Sequence, residues 1–442
     1  VITQYDYNTF GEKVHQVADA GIGKINQTTD WAYNRLGRLE TITGYTDEAS
    51  PQDDQTTLYD YDKLGHVTQI TYPDTKTIQY TYNSTGQVWR RVDQRGWRTY
   101  YDYDLLGRLV VKTNTPSVAG YTVDPNDLPD PNSTTLFAES FSYDGLGRML
   151  SAGKVVDANA VSESIFAYYD LGGIQAEQQT LFGGTARTVG YGQDQFGYRT
   201  STTYPDNTSI TRTNTWDGRI DGLSRGGAAL AGYDYLGQRV AWRAYNTTTP
   251  VVAAYSYDML GRVTDIDADS SRVDLHYSYV PQEHNIAGIR FDHRPGTPYN
   301  SYGYDDLDRV TQVTYLNNDT EAFPMDDLGN RVGQVTQRDG VHTYSVDELT
   351  NRYTAIDANS LAYDDAGSLT QDKDGYRTTY DYENRPVRIA KLDGQTEVTV
   401  ATFAYDALGR RIRKVDAIAG TTRLYYYSDN WQVLAEYDGS GV

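Results

Sequence analysis

The sequence predicts an all-β fold built from repeated hairpins, and three observations carry that prediction. A phrase of Tyr, Asp or Asn, two variable residues and Gly occurs twelve times, starting at Tyr7, Tyr33, Tyr61, Tyr82, Tyr103, Tyr143, Tyr169, Tyr233, Tyr257, Tyr363, Tyr405 and Tyr437. Aromatic residues ahead of it recur two apart, as in Tyr101/Tyr103, Phe141/Tyr143, Tyr255/Tyr257 and Phe403/Tyr405, the period of a strand. Tyrosine is the compositional extreme, 41 of 442 residues against 9 Phe and 6 Trp, and its ring and hydroxyl suit a pleated, half-wet surface. Self-similarity at this spacing marks a repeat array in which each unit buries its apolar face on its neighbours.

Within one unit, Asp followed three residues later by Gly matches a type I turn whose last position needs positive φ for the bulge that rejoins the ladder. Four copies add Arg directly after the Gly. They are Tyr103, Asp104, Gly107 and Arg108; Tyr143, Asp144, Gly147 and Arg148; Tyr257, Asp258, Gly261 and Arg262; and Tyr405, Asp406, Gly409 and Arg410. These are the structural turn residues, with the Arg expected beside the turn Asp and near the Tyr ring. Asp308 and Asn384 stand where Gly is expected after Tyr304 and Tyr380, and they are the residue types that best tolerate the left-handed region. Thr71-Tyr72-Pro73-Asp74 and Thr203-Tyr204-Pro205-Asp206 read as a second turn type joining successive hairpins.

The array is expected to run continuously over 1–442, with both ends cut inside the protein. One excursion interrupts it: Thr115 to Leu136, with Pro116, Pro125, Pro129 and Pro131, is expected to be an exposed insertion loop off the sheet. A second wide gap, Tyr279 to Asn300, is expected to hold a degenerate hairpin.

Sixty acidic against 39 basic residues give a formal net charge of −21, which opposes nucleic acid and anionic membranes alike. No cysteine is present, so disulfides and thiolate metal sites are excluded. No apolar run is long enough to span a bilayer as a helix.

Y-D-x-x-G-R hairpins with T-Y-P-D turns resemble the RHS/YD repeats of bacterial Rhs proteins, of Tc toxin B and C components, of wall-associated bacterial proteins and of teneurins. The resemblance covers essentially the whole chain. It implies a long β-sheet strip that spirals into a hollow shell, which in the toxin members encloses a C-terminal effector and ends in a self-cleaving closing domain. The run Tyr425 to Val433 resembles the late repeats just before that domain, so the cleavage residues are expected to lie beyond residue 442.

Catalytic signatures are absent: the sequence has no G-x-S-x-G, H-E-x-x-H, P-loop or G-x-G-x-x-G pattern. Glu283-His284 with Asp292-His293 is the most site-like cluster, yet polar strand faces explain it equally well. Asp265, Asp267 and Asp269 open like an EF-hand loop, but Ser270 and His276 stand where Gly and the bidentate Glu are required. Repeated Asp side chains read as turn caps, and no cofactor or metal is expected. Six N-x-[ST] sequons, at Asn26, Asn83, Asn132, Asn207, Asn246 and Asn318, matter only in a eukaryotic secretory pathway.

The expected function is therefore structural and non-enzymatic: a shell segment of a secreted bacterial toxin-like protein that shields a C-terminal effector of the same polypeptide, with an aromatic-rich concave face. The alternative is a cell-surface or fibre adhesion scaffold binding carbohydrate or partner proteins.

Overall fold

The computed structural model describes residues 2–18, 27–45, 54–115, 137–156, 159–170, 172–246, 249–269, 272–296, 298–337, 339–394 and 396–439. The insertion expected at 115–136 lies, beyond Thr115, outside the described residues. Among those described there are thirty-nine strands and no helix. They form sheets of 31 and 8 strands, divided between Ser360 and Ala362. Within each sheet every strand pairs antiparallel with the next in sequence, so the chain is one long meander.

The hairpin after Tyr103 shows how the repeat folds. The Asp104 N–H donates to the Arg108 carbonyl and the Gly107 N–H to the Asp104 carbonyl, both at 2.9 Å. Asp104 Oδ1 accepts the N–H groups of Leu106 and Arg108, and Oδ2 accepts Arg108 Nε at 2.6 Å. Gly107 sits at φ +81. Tyr103 then faces Leu109 while Asp102 faces Val111, a one-residue bulge that the left-handed glycine makes possible. Asp308 and Asn384 occupy the same position at φ +62 and +59.

The second turn type is not separate. Thr75 and Asn207 close the T-Y-P-D turns at φ +65 and +66, with the same pair of backbone hydrogen bonds, so one geometry serves both edges of the strip. Two copies of the phrase are out of register with the fold. At Tyr169 the turn begins one residue early, closed by Gly172 donating to the Tyr169 carbonyl. At Tyr233 the strand continues to Leu236 and turns within two residues.

Replacing Gly107 by Val should lower stability by about 1–3 kcal/mol, because a β-branched residue resists positive φ, whereas Gly107→Asn should cost well under half of that. An added Cβ meets only the movable Gln87 amide, at 3.1 Å, so backbone strain dominates. Equal shifts of the urea midpoint for the two variants would refute this origin.

Tyr and Arg join one repeat to the next. The Tyr103, Tyr143, Tyr257 and Tyr405 hydroxyls donate to the carbonyls of Val88, Leu109, Val240 and Pro386, the start of the preceding repeat's return strand, at 2.8–2.9 Å. Arg108 pairs with its own Asp104, reaches forward to the Asp144 carbonyl at 2.8 Å and lies 4.9 Å from the Tyr143 ring. The ring that Arg covers thus belongs to the following repeat, where contacts of about 0.5–1 kcal/mol couple neighbours.

The strip returns onto itself. Residues within 348–429 bond to residues within 55–199, with partners 230 to 293 positions apart in sequence. Arg95, between the eighth and ninth strands, reaches Asp364, twenty-four strands further on. At about 4.8 Å per strand one coil measures roughly 115 Å around, a ring roughly 35 Å across. An eight-stranded barrel is already wide enough for side chains to fill, so this one leaves a lumen. Several strands are half-buried along their whole length, as expected of a wall wetted on both faces.

Candidate functional site

Full burial concentrates where the second coil rests on the first. Of the buried polar residues, Arg90, Asp93, Thr99, Asn114, Glu139, Lys154, Ser162, Ser164, Glu177 and Gln179 lie in the first coil, and Asp406, Arg410 and Ser428 in the second. The Y-D-x-x-G edge of the later repeats docks onto the opposite turn edge of the earlier ones. That seam is the functional geometry of a wall.

Its centre is Arg410. The guanidinium takes Asp406 of its own turn through Nε at 2.6 Å, and Glu177 at 2.7 and 3.2 Å together with Ser164 at 3.0 Å across the seam. Burial works against the charge of Arg410, but Asp406 and Glu177 outweigh it and raise its pKa. Burial also pushes the Glu177 carboxyl above its ordinary range, partly offset by Arg410. A second cluster surrounds Glu139, which accepts the Tyr382 hydroxyl at 2.6 Å and pairs with Lys112 at 3.0 Å and Lys154 at 3.1 Å. Burial opposes its charge, and the two lysines prevail, lowering its pKa. Further along, Gln179 brackets the Tyr427 backbone through both amide atoms, and Arg199 holds Asp429 in a two-pronged pair.

The four quoted turns are alike locally and differ in setting. Asp104/Arg108, Asp144/Arg148 and Asp258/Arg262 keep 18–28% of their side-chain surface, whereas Asp406/Arg410 keep 2–3%. Outside the seam, the Arg108 and Leu106 N–H groups and the Arg108 guanidinium hold Asp104 below the usual carboxylate range. Turn tips of the first coil also expose Leu36, Leu64, Leu105, Leu146, Met259 and Leu260, while the docked tip residue Tyr382 is buried.

The other candidate clusters do not assemble. Glu283-His284 and Asp292-His293 flank opposite ends of the strand Ile286–Phe291, so its length separates them. Asp265 and Asp267 share a face of Val263–Ala268, but Asp265 pairs with His276, Asp267 faces Asp274, and Asp269 turns away at φ +57 toward Arg272. Among the described residues no group of three or more metal-ligating side chains is placed to hold an ion.

Known proteins agree with this geometry. The RHS Repeat family model matches residues 61–88. Double-stranded DNA deaminase toxin A of Burkholderia cenocepacia is 23% identical over 93% of this chain and 28% of its own length. The tRNA3(Ser)-specific nuclease WapA of Bacillus spizizenii is 28% identical over 30% of this chain and 6% of its own. Among solved structures, the Photorhabdus luminescens Tc holotoxin pore superposes with a TM-score of 0.77 at 16% identity, over 98% of this chain and 24% of that one. The TcdB2-TccC3 crystal structure also gives 0.77, over 99% and 25%. A wound strip of Tyr–Asp hairpins is thus the class of protein that fold and seam define. The chain carries an RHS repeat at residues 61–88 and shares its fold with these Tc toxin structures, and it spans about a quarter of the length of the two structures and of the deaminase toxin.

Sequence reading missed the seam partners Glu139, Lys154, Glu177 and Gln179. One signal was present: Tyr425-Tyr426-Tyr427 breaks the in-out alternation, and all three residues are buried.

Proposed function

We propose that this chain is a wall segment of a secreted toxin-associated shell, enclosing and shielding an effector domain that follows the repeats in the same polypeptide. The observation that carries the reading is the strip's return onto itself after about two dozen strands with both faces wet, a geometry that surrounds a volume. An adhesion rod would bury its core between packed faces and leave no lumen. The exposed apolar tips of the first coil mark the edge on which the wall continues, since the matching edge of the second coil is covered. The acidic balance of the wall suits a basic cargo. The repeats themselves act on no substrate in this reading.

The test uses the protein with the polypeptide that follows the wall. Trypsin at a dose that digests that downstream domain alone should leave it intact behind the repeats. Digestion at equal rates in both settings would overturn the proposal.

A further inference from the structure

The seam buries a second arginine in a very different way. Arg410 meets two carboxylates; Arg413, three residues on, meets none. Its strand neighbours are Ala404 and Leu424, its Nε is buried without a hydrogen-bond partner, and its guanidinium lies 4.2 Å from the Phe182 ring across the seam. Burial lowers its pKa with nothing to offset it. In a chain with 60 acidic residues, a guanidinium lacking a carboxylate at a half-buried site is a cost that folding alone does not explain.

Phe182 is itself unusual. It holds φ +50, a left-handed conformation that a bulky residue avoids unless something requires it. Together Phe182 and Arg413 line a cavity of about 350 Å³ between the coils. Its wall adds Arg187, Thr185, Thr422 and Tyr426, and no carboxylate occurs among the lining residues described. Arg187 stacks on Tyr437 at 3.6 Å, and two cationic side chains, three that carry a hydroxyl and two aromatic rings line the one space. The Phe182–Arg413 pair also borders a second cavity of about 470 Å³ on the side of Tyr382 and Tyr405.

We propose that this seam cavity is a binding site for a carboxylate carried on an aromatic or branched apolar body, with Arg413 taking the carboxylate and Phe182, Leu424 and Tyr426 taking the body. A planar guanidinium fork suits a carboxylate bidentately, and a pocket of apolar walls with few convergent polar groups is the usual form of a small-ligand site. The shared chemistry belongs both to free organic acids and to the C-terminal end of an apolar peptide.

Ligand-observed saturation-transfer NMR on the intact chain tests the site, with phenylacetate, 3-phenylpropionate and 4-phenylbutyrate as free acids, N-acetyl-Leu-Phe as the peptide arm, and 3-phenylpropanol as the uncharged control. At least one acid should bind saturably, the alcohol should bind about tenfold or more weakly, and Arg413→Met should lose the acid preference. Preference among the arms then assigns the source. The melting temperature of Arg413→Met should equal or exceed that of the parent, because no ion pair is broken, while Arg410→Met should fall sharply. Absence of saturable binding for every acid, equal binding of acid and alcohol, or a loss of melting temperature at Arg413→Met as large as at Arg410→Met would overturn the proposal.

Discussion

Replacing Arg410 by Met should destabilise the chain by about 3–5 kcal/mol, the usual result of removing one partner from a buried ion pair. The cost arises from what remains. Glu177 is fully buried and Asp406 nearly so, and both would keep a charge, or take up a proton, without the guanidinium that answers them. The second coil should loosen on the first, so hydrogen exchange should rise in the strands Asn159–Tyr168 and Ile174–Leu181 as well as in Arg411–Asp416, although they are far apart in sequence. The pH response supplies a check on the cause. Without Arg410, the Glu177 pKa, already raised by burial, rises further above its unfolded value. Stability linked to that proton is fully present below the unfolded pKa and is lost as pH rises through the folded one, so the deficit of the variant should shrink on acidification. Adding Glu177→Met should restore most of the loss, because a packed apolar pair replaces a buried ionic one at little cost. A single variant that melts with the parent, or a double variant worse than the single, would show that the pair does not hold the seam.

The hairpins were legible in sequence because everything they need is local. Asp104, Gly107 and Arg108 complete the hydrogen bonds of the turn itself within five residues, and the substitutions Asp308 and Asn384 reveal the same φ requirement. Register was harder. Tyr169 and Tyr233 satisfy the phrase, yet Tyr168 and Tyr235 are the rings whose hydroxyls reach back to Met149 and Ile220, since the local phrase does not encode which of two neighbouring tyrosines faces the preceding repeat. The seam was illegible for a different reason. Arg262 and Arg410 sit in near-identical phrases, and only the coil circumference, a sum of small inter-strand rotations over some two dozen strands, decides which of them meets a glutamate from far upstream. Twist accumulates over the whole strip and is written in no single motif.

The second large effect concerns Glu139. Glu139→Leu should cost about 3 kcal/mol or more, because the carboxylate that answers Lys112 and Lys154 and accepts the Tyr382 hydroxyl is replaced by an apolar group of similar size. Lys112 keeps Glu383 at 2.5 Å, so the burden falls on Lys154, whose side chain is 7% exposed. Burial already lowers the Lys154 pKa, with Glu139 the main opposing influence, Arg385 adding to the fall and Asp381 resisting it. Removing Glu139 should lower it further. A lysine whose folded pKa lies below its unfolded value binds fewer protons in the native state, so native stability rises with pH between the two values. The variant should therefore regain stability as pH is raised from neutral toward the ordinary lysine range, while the parent, with Glu139 in place, should change less. Urea midpoints measured across that range decide the matter. A deficit independent of pH would mean that lost packing, and not an unanswered lysine charge, is what Glu139 prevents at the seam.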